Sequence, residues 1–312
     1  MKFIIDDLKR LCSRSRVRRR ASRKLTYRRL ALLFYSLTGE GIENIEGVPG
    51  DPLGQHKLVS TKTKRYVIKV VDPKNPAKID RQVLAFRKLW NRVPMPRVYY
   101  HNNEILVEEF VGGADLSVAK LDRTECNRVY ESLGRHLREI HNVRAEGFGR
   151  VDMHGRGEFR SLREKVDSDT RGALSFMRSQ QLLSEGELAR LGLFLKAHQC
   201  YLGSSQCVFL HGDYVPQNIK VANGDVLAIL DFADLAAGPP ALDLARPFIE
   251  SYRQERLDVL LRSYGWDDVD ELRCFAVITL MWMIPRNATR GECDKVRKKL
   301  EILRDILPRA VP

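Results

Sequence analysis

The sequence predicts an α+β protein of two lobes, a small β-rich one followed by a mostly helical one. Three observations carry this expectation. The chain has 312 residues, enough to bury a large core and to divide into two lobes. Short β-branched or apolar runs bounded by Gly and Asn recur along it, and these read as strands. Elsewhere the helical period dominates. Leu133, Leu137 and Ile140 share one face of an amphipathic helix, and Phe275–Ile284 is an apolar run that reads as a buried helix.

The first segment, residues 1–42, is expected to be a basic, mostly helical extension. Residues 1–30 hold 12 Lys/Arg against 2 Asp, net +10 of the chain's +13. The cluster leads into Leu30–Leu37, an apolar run of helix formers. A basic stretch such as residues 9–29 beside an apolar helix suits an anionic membrane surface, where each basic residue contributes up to ~1 kcal/mol. A solvated arm and a surface helix packed on the small lobe remain open for the same residues. Nucleic acid is disfavoured, because the one Tyr and one Phe of the segment do not interleave with the arginines as stacking platforms would.

Other classes are excluded more directly. No apolar stretch reaches the ~18 residues of a membrane span. The N-terminus has Asp6 and Asp7 and only Phe3-Ile4-Ile5 as an apolar run, so no signal peptide is visible. Six scattered cysteines lack disulfide or metal spacing and fit reduced thiols in the cytoplasm. Peripheral attachment at the inner membrane face follows if the basic arm binds lipid. No obligate protein partner is evident.

Residues 43–111 are expected to form the small lobe. Arg65–Val71 is a β-branched strand with one charge inside it, Lys69. Lys78–Leu89 reads as a helix, and Ile105–Val111 as a core strand that ends at the Gly112-Gly113 turn. Between residues 47 and 55 the chain is glycine-rich, including Gly50 and Gly54, whose backbone N–H groups can approach phosphate oxygens. A plain hairpin loop fits that stretch equally well.

Residues 112–312 carry the chemistry. The run His211-Gly212-Asp213-Tyr214-Val215-Pro216-Gln217-Asn218 is followed thirteen residues later by Asp231-Phe232-Ala233-Asp234. Apolar strands precede both groups, and Asn223-Gly224-Asp225 between them is a hairpin turn signal. The acids therefore sit at strand ends, where a rigid sheet aims them at a shared cleft. Phosphoryl transfer needs positioning and charge neutralisation more than covalent chemistry. Mg²⁺ takes one or two hard oxygen side chains together with phosphate oxygens and water, which Asp231 and Asn218 offer. Asp213 then remains to orient an acceptor hydroxyl and take its proton.

The motifs HGDYVPQN and LDFADLAAGPPALDLA resemble the catalytic-loop and metal motifs of the aminoglycoside phosphotransferase and choline kinase-like group. The resemblance covers roughly residues 43–290. It implies a protein-kinase-like fold, with a small antiparallel β N-lobe, a mostly helical C-lobe, and ATP with Mg²⁺ bound between them. It implies Asp213 as catalytic base, Asn218 and Asp231 as metal ligands, His211 as a brace of the loop, and Asp243 as its hydrogen-bonding anchor. Asp234 is open between a further metal-side carboxylate and a solvated loop residue. Lys69 falls where the group has its phosphate lysine. The usual partner, a Glu on the next helix, is absent, and Asp80 is the substitute expected. By resemblance the Glu109 carbonyl and Val111 amide hold adenine.

The implied activity is transfer of the ATP γ-phosphate to a hydroxyl of a small-molecule or saccharide acceptor. Acceptor pockets in this group are built from the helices after the metal motif, here about 247–300; Trp282, Met281 and Met283 are expected mostly to fill core. The net positive field of the chain opposes polycationic aminoglycosides and favours a neutral or anionic acceptor, such as a sugar or a glycolipid head group. Asp267, Asp268, Asp270 and Glu271 are the candidates for a local acidic patch that would reverse this. The alternatives are an aminoglycoside 3'-type antibiotic kinase and a catalytically degenerate kinase fold used for binding.

Overall fold

The computed structural model describes residues 27–48, 56–71, 75–203 and 206–308. Gly50, Gly54 and most of the basic arm therefore lie outside the described residues. The chain divides into two compact units: residues 1–74 with 97–110, and residues 75–96 with 111–312.

The smaller unit begins with helix α1 (Tyr27–Thr38). Its polar and apolar faces are set by the helical period, and Leu30 and Phe34 are buried. The helix stops at Gly39, whose φ of +74° lets its N–H return to the Tyr35 carbonyl at 2.9 Å. Five strands follow: β1 (Ile42–Gly47), β2 (His56–Thr61), β3 (Arg65–Val70), β4 (Val98–His101) and β5 (Ile105–Glu109). They form one antiparallel sheet in the order β1-β2-β3-β5-β4. Val59, Tyr66, Ile68, Ile105 and Val107 alternate onto one face and pack against Leu30 and Phe34. Burying a side chain the size of Phe34 contributes about 1.5–3 kcal/mol. The apolar run of residues 30–37 is thus a helix packed on the sheet of the small lobe, while the basic residues before Tyr27 lie outside the described ones.

The larger unit opens with α2 (Ala77–Leu89). This helix falls inside the 43–111 stretch expected to form the small lobe. Its buried residues Leu84, Ala85 and Leu89 belong instead to the core of the larger unit. After the short strand β6 (Ala114–Asp115) comes α3 (Arg123–His141), which starts with a reciprocal capping box between Asp122 and Glu125. Strands β7 (Phe148–Val151) and β8 (Gly157–Phe159) and helices α4 (Leu162–Ser179) and α5 (Glu185–Ala197) lead to β9 (Val208–Leu210). The hairpin β10 (Ile219–Ala222) and β11 (Asp225–Ile229) turns through Asn223 and Gly224, both with positive φ, as a two-residue turn of the primed kind requires. β12 (Ala236–Gly238) precedes α6 (Ala241–Glu250), α7 (Glu255–Tyr264), α8 (Val269–Thr289) and α9 (Cys293–Ile306). The strands form two small sheets, β11-β10-β6 and β8-β7-β12-β9.

Helix α3 packs closely on α7. A Cβ at Gly134 would lie 2.5 Å from the Leu260 carbonyl oxygen and 2.8 Å from the Tyr264 amide nitrogen. Both neighbours are backbone and yield only if the helices move apart. Gly134→Ala is therefore expected to lower the unfolding free energy by about 1–3 kcal/mol, the usual range for overpacking, as measured by urea denaturation. An unchanged midpoint would mean that the two helices separate freely.

Among the described residues no helix is long and apolar enough to cross a membrane. Five cysteines are present in them, all as free thiols.

Candidate active site

The site in the larger unit is built around the turn after β9. Gly212 has φ +82°, and a Cβ there would meet the Asp234 carbonyl oxygen at 2.0 Å. Only glycine lets the His211–Asp213 loop lie this close to the segment after Asp231. Two consecutive backbone N–H groups, of His211 and Gly212, donate to the two carboxylate oxygens of Asp243 at 2.5 and 2.8 Å. Asp243 sits in the first turn of α6 and is 1% exposed. His141, at the end of α3, adds a third bond from Nε2 at 3.2 Å, and its Nδ1 meets the Tyr264 hydroxyl at 2.9 Å. Burial alone would raise the Asp243 pKa. The hydrogen bond and charge of His141, with the bonds from the loop, outweigh it and hold the group below the usual carboxylate range.

His211 is fully buried and joins the loop to the metal-motif strand. Its Nδ1 accepts from the Asp213 N–H at 3.2 Å, which leaves Nε2 to donate to the Leu230 carbonyl at 3.0 Å. The brace expected from the sequence is thus a bridge between the two motifs.

Asp213 is held at both oxygens. Asn218 Nδ2 donates to Oδ2 at 3.1 Å and to the Asp213 carbonyl at 2.9 Å. With Nδ2 donating twice, the amide orientation is fixed, and Asn218 Oδ1 has no hydrogen-bond partner among the described residues. Arg246 Nη2 donates to Asp213 Oδ1 at 2.6 Å. Arg246 was not among the residues singled out by sequence. Its signal is the spacing Asp243-x-x-Arg246, which puts both on one face of α6, under the same loop.

The hairpin register brings Asn218 and Asp231 to one end. Ile219 pairs with Ile229, and the Leu230 N–H donates to the Asn218 carbonyl at 2.7 Å, so Asp231 is the next residue along. Asp231 has φ +63°, a left-handed backbone unusual for a residue with a side chain, and its carboxylate caps the Ala233 N–H at 3.4 Å. Outliers of this type cluster at functional sites. The following turn is pinned from α2, where buried Arg81 donates from Nε to the Ala233 carbonyl at 2.6 Å. Asp234 is partly exposed, lies 3.8 Å from Arg150 and faces the adjoining cavity.

Asn218 and Asp231 supply one amide and one carboxylate oxygen. Among the described residues no group of three or more His, Cys, Asp or Glu forms a cage for a metal ion. This donor set fits Mg²⁺ carried in by nucleotide phosphates, which keeps most of its ligands as phosphate oxygens and water.

In the smaller unit Lys69 has a partner that the sequence did not single out. Its Nζ meets Glu108 Oε1 at 2.8 Å, with the two side chains 15% and 6% exposed. Val67 is opposite Glu108 and Lys69 opposite Leu106, so Lys69 and Glu108 are diagonal neighbours on one face of the β3–β5 pair. Lys69 is therefore not a solvated-face lysine. Asp80, the expected partner, is exposed in the first turn of α2, and the buried polar residue of that turn is Arg81. Within the sheet the ion pair is made by Glu108. Glu109 closes β5, with its N–H bonded to the Arg97 carbonyl at 2.8 Å, and Val111 follows two residues on.

A cavity of about 630 Å³ opens beside Asp213 within the larger unit. Its walls come from the loop, from β7 and β8, and from α4, α6, α8 and α9. Trp282 is 38% exposed and lines it, with the Arg286 guanidinium 4.7 Å from its ring centroid. Met281 is in the core, as expected, and Met283 is buried but reaches the wall, where its sulfur accepts from Arg246 Nη1 at 3.0 Å. The acidic run 267–271 does not line the cavity. Asp268 caps α8, accepting from the Glu271 N–H at 2.8 Å.

The two-lobed α+β arrangement and this constellation define a kinase-like phosphotransferase fold. The chain belongs to the phosphotransferase enzyme family (APH), whose profile matches residues 44–275. Among solved structures, a thermostable mutant of aminoglycoside phosphotransferase APH(4)-Ia in ternary complex with AMP-PNP and hygromycin B superposes with TM-score 0.68 at 14% identity. That match covers 89% of this chain and 97% of the other. The GDP and kanamycin complex of APH(2")-IIia gives 0.64 at 14% identity over 89% and 97%. ADP-bound APH(2'')-Ib gives 0.62 at 16% over 88% and 96%. These identities speak for a shared fold. Comparison with curated proteins gives no significant match.

Proposed function

We propose that the chain transfers the γ-phosphate of Mg·ATP to a hydroxyl group of a small, neutral or anionic acceptor. The observation that carries this is the fixed carboxylate of Asp213 at the wall of the cavity, held by Asn218 and Arg246. A carboxylate has about four acceptor positions. Arg246 and Asn218 occupy two, and the remainder are available to a hydroxyl in the cavity, whose proton Asp213 takes as the bond to phosphorus forms. Asn218 Oδ1 and Asp231 are assigned to the magnesium ion, which supplies charge neutralisation at the phosphates. From the smaller unit Lys69 is assigned to the α- and β-phosphates, and Glu109 and Val111 to adenine. Asp243, His211 and Gly212 keep the loop rigid, which a positioning mechanism requires.

The direct test is incubation of purified protein with Mg·ATP and fractionated metabolite extracts, read by mass spectrometry. A hydroxylated compound that gains a phosphoryl group only with enzyme and ATP is the expected result. Absence of any phosphorylated product alongside unchanged ATP would favour a degenerate, binding-only fold. Against an aminoglycoside kinase stand the net charge of +13 and the side of the cavity lined by Arg286, Arg290, Lys295, Lys298 and Lys299, while Glu158, Asp169, Asp234 and Glu250 line its other sides. Expression in a susceptible host is expected to leave kanamycin and hygromycin tolerance unchanged, measured as minimal inhibitory concentration; a clear rise would identify an aminoglycoside acceptor.

A further inference from the structure

The wall of the cavity formed by α8 and α9 is charged in one sense. It presents Arg286, Arg290, Lys295, Lys298 and Lys299, against the single acid Glu292. Glu292 is already paired with Lys295 at 3.0 Å. The Arg286 guanidinium has the Trp282 ring for a neighbour, and the side chains of Arg286 and Arg290 make no ion pair or hydrogen bond among the described residues.

Lys299 is the decisive residue. The residue is 6% exposed and lines the cavity, and its side chain makes no ion pair or hydrogen bond to any described residue. Its carbon stem is packed away while the ammonium keeps an opening to the cavity, the usual arrangement for a lysine at such a position. Burial pulls its pKa down; Glu250 opposes this, and Arg246, Lys295 and Lys298 push the same way as burial. Glu250 lines the cavity one turn beyond Arg246, and among the described residues no ion pair joins it to Lys299. Next to Lys299, Arg246 also has a buried Nε without a hydrogen-bond partner. Lys299 thus adds an unpaired ammonium to the cavity wall beside Arg246, whose Nη2 holds Asp213.

We infer that the acceptor carries an anionic group, a phosphate ester or a carboxylate, which Lys299 and Arg246 bind at the inner wall and Arg286 and Arg290 bind at the rim. This rests on the phosphotransferase reading for the role of Asp213, and it narrows the acceptor from neutral-or-anionic to anionic. The anion supplies the missing partners. Charge-assisted bonds to a buried cation are worth roughly 1.5–3 kcal/mol each, or about 10- to 150-fold in affinity. The anion also fixes the hydroxylated remainder of the molecule beside Asp213, because Arg246 touches both regions.

The experiment is isothermal titration of the full chain, with and without saturating ADP, against sugar phosphates, sugar acids, the matching neutral sugars and kanamycin. Glucose 6-phosphate, gluconate and glucose form one such set. At least one anionic sugar is expected to bind at least ~10-fold tighter than its neutral counterpart, with kanamycin weaker still. Lys299→Met and the exposed-site variant Arg290→Ala are each expected to weaken that binding by ~5-fold or more while leaving ADP affinity unchanged. Neutral sugars or kanamycin binding as tightly as the anions, no saturable anion binding, or variants that bind anions like wild type would overturn the proposal. Failure of ADP to bind would sink the phosphotransferase reading instead, and the anion titrations without ADP would still decide this one.

Discussion

Replacing Asp213 with Asn is expected to slow phosphorylation of the acceptor by at least ~10²-fold, the lower end of what a positioned general base contributes. The substitution is nearly isosteric, and Arg246 Nη2 can still donate to an amide oxygen in place of Asp213 Oδ1; Asn218 Nδ2 loses its bond to the other oxygen, about 1 kcal/mol, and keeps the one to the backbone carbonyl. The loop is anchored elsewhere, through Asp243 and His211. Thermal stability and ADP affinity should therefore stay near wild type, and only turnover should fall. Steady-state ADP release with a phosphorylated product quantified in parallel makes the comparison. Wild-type turnover by the variant would remove Asp213 from the role of base and leave a site that works by positioning alone.

The second large effect is structural. Asp243→Ala is expected to destabilise the protein by about 3–5 kcal/mol in urea denaturation, the usual consequence of deleting one side of a buried charged arrangement. It strands two backbone N–H groups, of His211 and Gly212, and the Nε2 of His141. The pH dependence has a definite sign. The folded pKa of Asp243 is lowered, so its contribution is present above the unfolded value of about 3.9 and is lost as pH falls through the lower folded value. The stability gap between wild type and Asp243→Ala should therefore be full at neutral pH and narrow under acid conditions. A gap that is the same in acid and at neutral pH would mean that the ionised carboxylate is not what the loop depends on.

Much of the site was legible in the sequence because its parts are local. His211, Gly212 and Asp213 follow one strand, and Asn218, Asn223-Gly224 and Asp231 mark the start, turn and end of one hairpin. Strand pairing is periodic, so the convergence of Asn218 and Asp231 follows from the register. Arg246 and Lys299 were missed because their meaning depends on what lies opposite them. An arginine in a helix and a lysine among basic neighbours are ordinary surface residues until packing buries them. The Glu108 neighbour of Lys69 was not singled out for the same reason. Glu108 looked like one of two acids at a strand end, and only the β3–β5 register made it the diagonal neighbour of Lys69. The apolar run of α1 was legible as a helix, but the sheet it covers was not.

The sequence by itself determined the elements and the chemistry they could hold: alternating strands, amphipathic helices, a hairpin with a two-residue turn, and an acid–amide–acid set suited to a phosphate-bound divalent cation. These follow from short-range rules of backbone geometry and side-chain type. Only the tertiary structure decided which charges are neutralised and which are not. It gave Asp243 three donors, gave Asp213 an arginine, closed Lys69 onto Glu108, and left the Lys299 ammonium at the cavity wall with no ion pair among the described residues. The free energy of a charge depends on every dipole and charge within a few ångströms, and those neighbours come from segments far apart in the chain.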